Sequence, residues 1–322
     1  MASADSAIGR LRVGAVSSRA LERSAWLTLG VLWLVVTTGG LVRLTASGLG
    51  CTDWPNCEPG SLVPAASYHA LIEYSNRIIS GVGVVATVVT ALLAQRSPRA
   101  GVGLRRVAWA AAAGTVAQAP LGAITVATDL NPLAVMSHFL LAMAVLAAAT
   151  WVAYRSWRLA GPPVLDVAHR PRQAPLAWLS VAAVLGLVTT GAVVTAAGPH
   201  PGSTDKPIDR LWNLEYAAWL HVRVAVTFAV VFLAVAGWLW RRDRGTLAQR
   251  LSVAGIVLTI CQLGVGEYQY RNDLPWQAIA VHVAIAATLV VTVVLVASLI
   301  TDARGDPSDG GGSGPRVRED EG

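Results

Sequence analysis

The chain has 322 residues, 54% of them hydrophobic and only 14% charged, with a net charge of +6. That balance excludes an ordinary soluble domain and predicts an all-α integral membrane protein. The basic residues are scattered over short loops without interleaved aromatic side chains, which argues against a nucleic-acid partner.

Residues 1–24 form a polar, arginine-containing arm. No small-residue cleavage site follows the apolar run behind it, so that run is expected to stay as the first helix rather than to be removed as a signal peptide. Runs long enough to cross a hydrocarbon core, about 20 residues each, fall at 25–44, 72–94, 107–127, 132–154, 175–197, 217–240, 251–267 and 275–300. Eight spans put both termini on one side of the membrane. Of the 25 Lys and Arg residues, 19 lie in the arm, the tail and the three loops holding Arg96 to Arg106, Arg155 to Arg172 and Arg241 to Arg250. The positive-inside rule makes those segments cytoplasmic. Residues 155–174 are then a cytoplasmic linker. Residues 301–322 are a cytoplasmic tail whose Gly, Asp, Glu and Ser content predicts disorder. Lys206 is the only lysine, a composition that points to a high-GC bacterium and its cell membrane.

The chain repeats itself weakly. Val36-Thr37-Thr38-Gly39-Gly40-Leu41-Val42 closes the first span, and Val188-Thr189-Thr190-Gly191-Ala192-Val193-Val194 closes the fifth. Gln118-Ala119-Pro120-Leu121-Gly122 in the third resembles Cys261-Gln262-Leu263-Gly264 in the seventh, each followed by a polar loop with Asp-Leu, a Pro and a histidine. Small residues are common where membrane helices pack, but four features in matched order imply two four-span halves, 25–154 and 175–300. An even number of spans per half gives the two the same orientation, related by an axis along the membrane normal.

On that frame His138, His221 and His282 lie near the outer ends of spans four, six and eight, and Asn76 stands where span two would carry its histidine. A single intramembrane histidine can as well be a hydrogen-bonded core residue. His221 and His282, at equal depth on neighbouring helices, are expected to supply both axial ligands of one haem iron. Glu73, Asn76 and Arg77 share one face of span two by their spacing of three and four. Two roles remain open for the charged pair. Glu73 and Arg77 can form an internal pair at the interface, or Glu73 can handle protons beside a bound group while Arg77 holds an anionic substituent such as a propionate. Arg223 either offers a propionate contact in the second half or snorkels to the membrane surface. In the first outer loop Cys51 and Cys57, six residues apart, favour a disulfide over zinc, which would need further ligands that His69 alone does not complete. Cys261 is expected to be a small packing residue.

These residues together resemble the haem A synthase family. The run Gly39-Gly40-Leu41-Val42-Arg43-Leu44-Thr45-Ala46-Ser47-Gly48-Leu49-Gly50 leads into the cysteine pair, then come Glu73-Tyr74-Ser75-Asn76-Arg77 and Thr128-Asp129-Leu130-Asn131-Pro132 before His138. The resemblance covers about residues 25–300. It implies two pseudo-symmetric four-helix bundles and oxidation of a methyl group of haem O to the formyl group of haem A, for cytochrome oxidase. It further implies a haem b cofactor held by His221 and His282 (metal ligands to its iron) and a substrate haem in the N-terminal half, with His138 on its iron and Arg77 nearby. Glu73 then matches the acidic residue required for activity, the catalytic residue as acid, base or stabiliser of a cationic intermediate, and Cys51 and Cys57 match the family's cysteine pair. Haem O would enter from the lipid bilayer, with a haem O synthase as neighbour, an electron donor or acceptor that the chain does not identify, and a homo-oligomer compatible with the pattern.

Asn76 departs from the family, whose motif has histidine there. Two other function classes stand beside the synthase: a membrane b-type cytochrome that only transfers electrons, which needs the His221 and His282 pair alone, and a non-catalytic haem-binding or assembly protein, in which Asn76 marks lost chemistry. The first has no use for Glu73 and the cysteine loop. A transporter is disfavoured because the repeat is parallel and no Gly/Pro-broken helix pair sits at the bilayer centre.

Overall fold

A computed structural model describes residues 16–64, 66–161, 174–204 and 207–301. Eight helices follow in order: α1 Ser18–Leu44, α2 Tyr68–Arg96, α3 Val102–Ala127, α4 Pro132–Ala160, α5 Ala174–Ala197, α6 Leu214–Arg242, α7 Leu247–Arg271 and α8 Trp276–Thr301. All eight are long and apolar enough to cross a membrane, so this is a multi-pass membrane protein. Among the described residues the only bridge is an isolated one between Glu58 and Ser61.

Several helices outrun the apolar stretches that forecast them, because hydrophobicity marks the part in hydrocarbon and capping decides where a helix starts. Ser17, Ser67, Asn131, Asn213 and Thr246 each accept a backbone N–H of the first turn through the side chain. Helix α1 thus begins inside the expected arm, and α4 runs on into the expected linker. The rest of the arm (1–15), most of the linker (162–173) and the tail (302–322), including its expected disorder, lie outside the described residues.

Helices α1 to α4 close on themselves through the pairs α1–α2, α2–α3, α3–α4 and α4–α1, and α5 to α8 do so in the same chain order. The two sets meet through α1, α4, α5 and α8. Helix α8 touches members of both and is the most enclosed of the eight, which suits its almost wholly apolar sequence. Among the hydrogen bonds that join the two sets is one from Trp33 Nε1 to Thr288 Oγ1 (3.0 Å). Small residues bring helices close: a Cβ on Gly114 would stand 2.6 Å from Val145 of α4, and one on Gly255 2.6 Å from the Phe232 ring of α6.

The loops entering α4 and α8 have the same backbone. Asp129 and Leu130 take φ of 50° and 60°, Asp273 and Leu274 take 58° and 57°. Leu130 N donates to Thr125 O, and Leu274 N to Gln269 O, both at 2.8 Å. These six-residue closures cap the carbonyl ends of α3 and α7 and hand the chain to α4 and α8 in the same way.

Candidate functional site

His221 on α6 and His282 on α8 face each other with ring centroids 6.4 Å apart and planes inclined by 59°. Each lies about two turns inside its helix. The rings come close to α5 and α7 because glycines stand opposite them. A Cβ on Gly191 would be 3.2 Å from His221 Cε1, and one on Gly266 3.4 Å from His282 Cε1. Thr190 Oγ1 lies 3.0 Å from His221 Nδ1 and also within reach of the Leu187 carbonyl (3.0 Å). If the hydroxyl proton goes to its own helix, the oxygen can only accept from the ring. That assigns the proton to Nδ1 and leaves Nε2 with its lone pair, the tautomer of a metal ligand. The centroid separation suits a single metal ion between two imidazoles, with each bond roughly 2 Å long. The donor set, two neutral nitrogens between apolar helices, fits haem iron.

The first four helices carry the matching positions. Gly39 approaches Asn76 as Gly191 approaches His221, and Thr38 Oγ1 lies 2.8 Å from Asn76 Oδ1 as Thr190 lies from His221 Nδ1. Gly122 faces His138 Cε1 at 3.5 Å, as Gly266 faces His282. Gln118 Nε2 donates to the His138 carbonyl (3.2 Å), and Gln262 Nε2 to the His282 carbonyl (2.9 Å). These contacts correct one detail of the sequence alignment. The partner of Gly122 is Gly266, whereas Gly264 meets nothing.

Above the N-terminal site sits a closed polar network. Cys51 and Cys57 form a disulfide and are both buried. Cys51 N donates to Glu73 Oε2 (2.9 Å), and Arg77 donates to Glu73 Oε1 through Nη2 (2.6 Å) and Nε (3.2 Å). Arg77 Nη1 also donates to the carbonyls of Asp53 (3.0 Å) and Asn56 (2.8 Å), inside the disulfide loop. The internal Glu73–Arg77 pair is therefore formed, and it clamps the loop onto α2, one turn outward from Asn76. Gly50 permits the approach: a Cβ there would run into the backbone of His69.

The structure bears on the two open readings of Arg223 and changes the expectation for Cys261. Arg223 is exposed, with its guanidinium 3.4 Å over the Trp219 ring and a bond to the Trp219 carbonyl (3.0 Å). Two residues apart on a helix face nearly opposite ways, so Arg223 points away from the His221 side and not toward the histidine pair. Cys261 is exposed rather than packed. Of the other histidines, His69 lies in the first turn of α2 rather than in a loop and pairs through Nδ1 with Ser47 (3.0 Å), His200 Nε2 pairs with the Leu274 carbonyl (2.7 Å), and His169 lies outside the described residues. Sequence reasoning missed Thr38, Thr190, Gln118 and Gln262 as partners of the site, although the repeat contained all four.

The family model described as cytochrome oxidase assembly protein matches residues 22–294. A protein of Exiguobacterium sp. named heme A synthase is 28% identical over 76% of this chain and 81% of its own length. Proteins of the same name from Geobacillus kaustophilus and Symbiobacterium thermophilum are 26% and 29% identical over 46% and 39% of this chain, and over 46% and 39% of their own lengths.

Proposed function

Because this chain belongs to the cytochrome oxidase assembly protein family, we propose that it is a haem A synthase, an enzyme that oxidises a methyl group of haem O to the formyl group of haem A. The observation that carries this reading is the matched pair of sites. The same Thr-Gly and Gln-Gly contacts surround His221 and His282 in one half and Asn76 and His138 in the other. In this reading the halves are two four-helix bundles. His221 and His282 hold haem b, and His138 holds the substrate haem in the N-terminal half. Both termini are cytoplasmic, so the disulfide and both sites lie near the outer face, where an oxidising compartment suits Cys51 and Cys57.

When bound, haem b supplies electron transfer to or from the N-terminal site. The chain's own residues do the rest. Thr190 fixes the tautomer of His221. Asn76 presents an amide where its counterpart presents an imidazole, so His138 would be the one strong iron ligand of the N-terminal site. Glu73 stands one turn outward on the same face as Asn76 and serves as acid or base at the substrate edge. Arg77 and the disulfide loop hold that carboxylate in place and cover the site.

Haems extracted from cells that express the chain with a source of haem O, chromatographed beside a His138→Ala control, test the reading. Haem A in the wild type and none in the control is expected. Haem O and haem B alone, from a folded and haem-loaded chain, would favour a b-type cytochrome or a non-catalytic assembly protein.

A further inference from the structure

Arg43, at the outer end of α1, and Arg210, in the loop between α5 and α6, converge on one backbone carbonyl. Arg43 Nη2 donates to Thr195 O at 2.5 Å and Arg210 Nη2 to the same oxygen at 2.8 Å, while Arg210 Nε donates to Gly198 O at 2.8 Å. Neither guanidinium has a carboxylate partner among the described residues. Burial lowers the pKa of Arg210, as expected for a cation short of compensation. The loop after α5 lies against Arg43: Gly48 N donates to Gly202 O (2.8 Å), and a Cβ on Gly202 would stand 3.5 Å from Arg43 Cγ.

A simpler reading is that both arginines cap the carbonyl end of α5, where cations are favourable. One arginine would do that. Two like charges on one oxygen repel, and most of their ten N–H groups remain available for an anion. Their position is specific. Thr195 is one helical turn, about 6 Å, outward from Gly191, the residue that faces His221. Arg43 is likewise one turn outward from Gly39, which faces Asn76, yet its guanidinium reaches across to α5. The two charges therefore stand at the outer edge of the histidine pair, one contributed by each half of the chain.

We propose that Arg43 and Arg210 form a carboxylate site that holds a propionate of the haem between His221 and His282. This rests on the reading that these histidines hold a haem. A planar fork matches a carboxylate in two parallel hydrogen bonds, and an arginine lent by the N-terminal half ties cofactor binding to the seam between the halves.

The test uses the full chain, freed of haem, in phosphatidylcholine nanodiscs, titrated with haem b and with haem b dimethyl ester, which keeps the iron and loses both carboxylate charges. Wild-type chain is expected to bind the ester at least about tenfold more weakly, the effect of one charge-assisted hydrogen bond. R43Q/R210Q should bind both probes alike, with the bis-imidazole spectrum intact. Equal binding of both probes by the wild type overturns the proposal without any variant, so a misfolded double variant does not protect it. A double variant that still discriminates against the ester also overturns it. If the arginines serve a lipid phosphate instead, the wild type will not discriminate, and phosphatidylglycerol will bind it more tightly than it binds R43Q/R210Q. Wild-type chain that binds neither probe overturns the haem reading beneath the proposal.

Discussion

Thr190→Val tests the geometry of the histidine pair at one atom. The hydroxyl oxygen lies 3.0 Å from His221 Nδ1, and a carbonyl of its own helix lies 3.0 Å on its other side. Valine keeps the shape of threonine and replaces the acceptor by a methyl group. The ring N–H then faces hydrocarbon, and leaving a buried donor unpaired costs about 1–3 kcal/mol. Part of that is recovered if the imidazole turns or changes tautomer, and either move takes Nε2 from His282. Loss of such an orienting partner weakens metal affinity by about 10–100-fold. Haem b titration of the haem-free full chain, followed by the Soret band and by the low-spin EPR signal, reads this directly. Thr190→Ser keeps the oxygen and should bind as the wild type does. Thr38→Val, at the matching position beside Asn76, should leave haem b affinity untouched. Unchanged affinity and spectrum in Thr190→Val would refute the tautomer argument, and with it the claim that the Thr-Gly pair orients a ligand.

Three further outcomes are expected. Glu73→Gln replaces an acceptor that serves Cys51 N, Arg77 Nε and Arg77 Nη2 by an amide that can face only some of those donors. Haem A yield by chromatography should fall by about 100-fold or more while haem b content holds, and full yield would remove Glu73 from the chemistry. Removing the disulfide with C51A/C57A releases a short loop worth about 2–3 kcal/mol of constraint. Limited proteolysis should then cut between α1 and α2, with the His221–His282 spectrum preserved, and a protected loop would show that the Glu73–Arg77 clamp suffices. Asn76→His places an imidazole beside Thr38 and Gly39 as His221 stands beside Thr190 and Gly191, so the N-terminal haem should become low-spin. A persistent high-spin signal would mean that Asn76 is not the counterpart of His221.

The eight spans were legible because burial in lipid writes long apolar runs, whereas the helix ends were not, since Ser17 or Asn213 acts through a single capping bond. The histidines were legible as rare polar groups in apolar context. Their partners were not, because threonine and glutamine at a helix interface look like any packing residue until a second helix is brought against them. The repeat could have supplied Thr38 with Thr190, and Gln118 with Gln262. Matching Leu121-Gly122 to Leu263-Gly264 shifts the repeat by two residues in α7, whereas counting from the glutamines puts Gly122 and Gly266 each four residues on, and the contact with His282 agrees. Arg223 stayed open between a propionate contact and snorkelling for a related reason. Nearness in sequence to His221 does not say which way a side chain faces, and a two-residue step on a helix nearly reverses direction. The anion-binding candidates, Arg43 and Arg210, are 167 positions apart, and no spacing rule joins them.

The two halves differ where their chemistry should. Around both sites the scaffold is the same: a Thr-Gly pair on one helix, a Gln and a Gly on another, and a closing turn with two left-handed residues. One half keeps two imidazoles, which would saturate an iron and suit it to electron transfer. The other has an amide in one of those places and adds, one turn outward, a carboxylate held by an arginine and a disulfide loop. The outer loop at the corresponding place in the second half carries no cysteine and delivers Arg210 instead. A gene-duplicated pair of electron carriers would have no reason to diverge this way, since neither a weaker ligand nor a buried carboxylate helps an iron that only changes charge. Under the proposed function a division of labour accounts for it: the half with two imidazoles would pass electrons, and the half with the amide and the clamped carboxylate would leave room beside the substrate ring for oxidation.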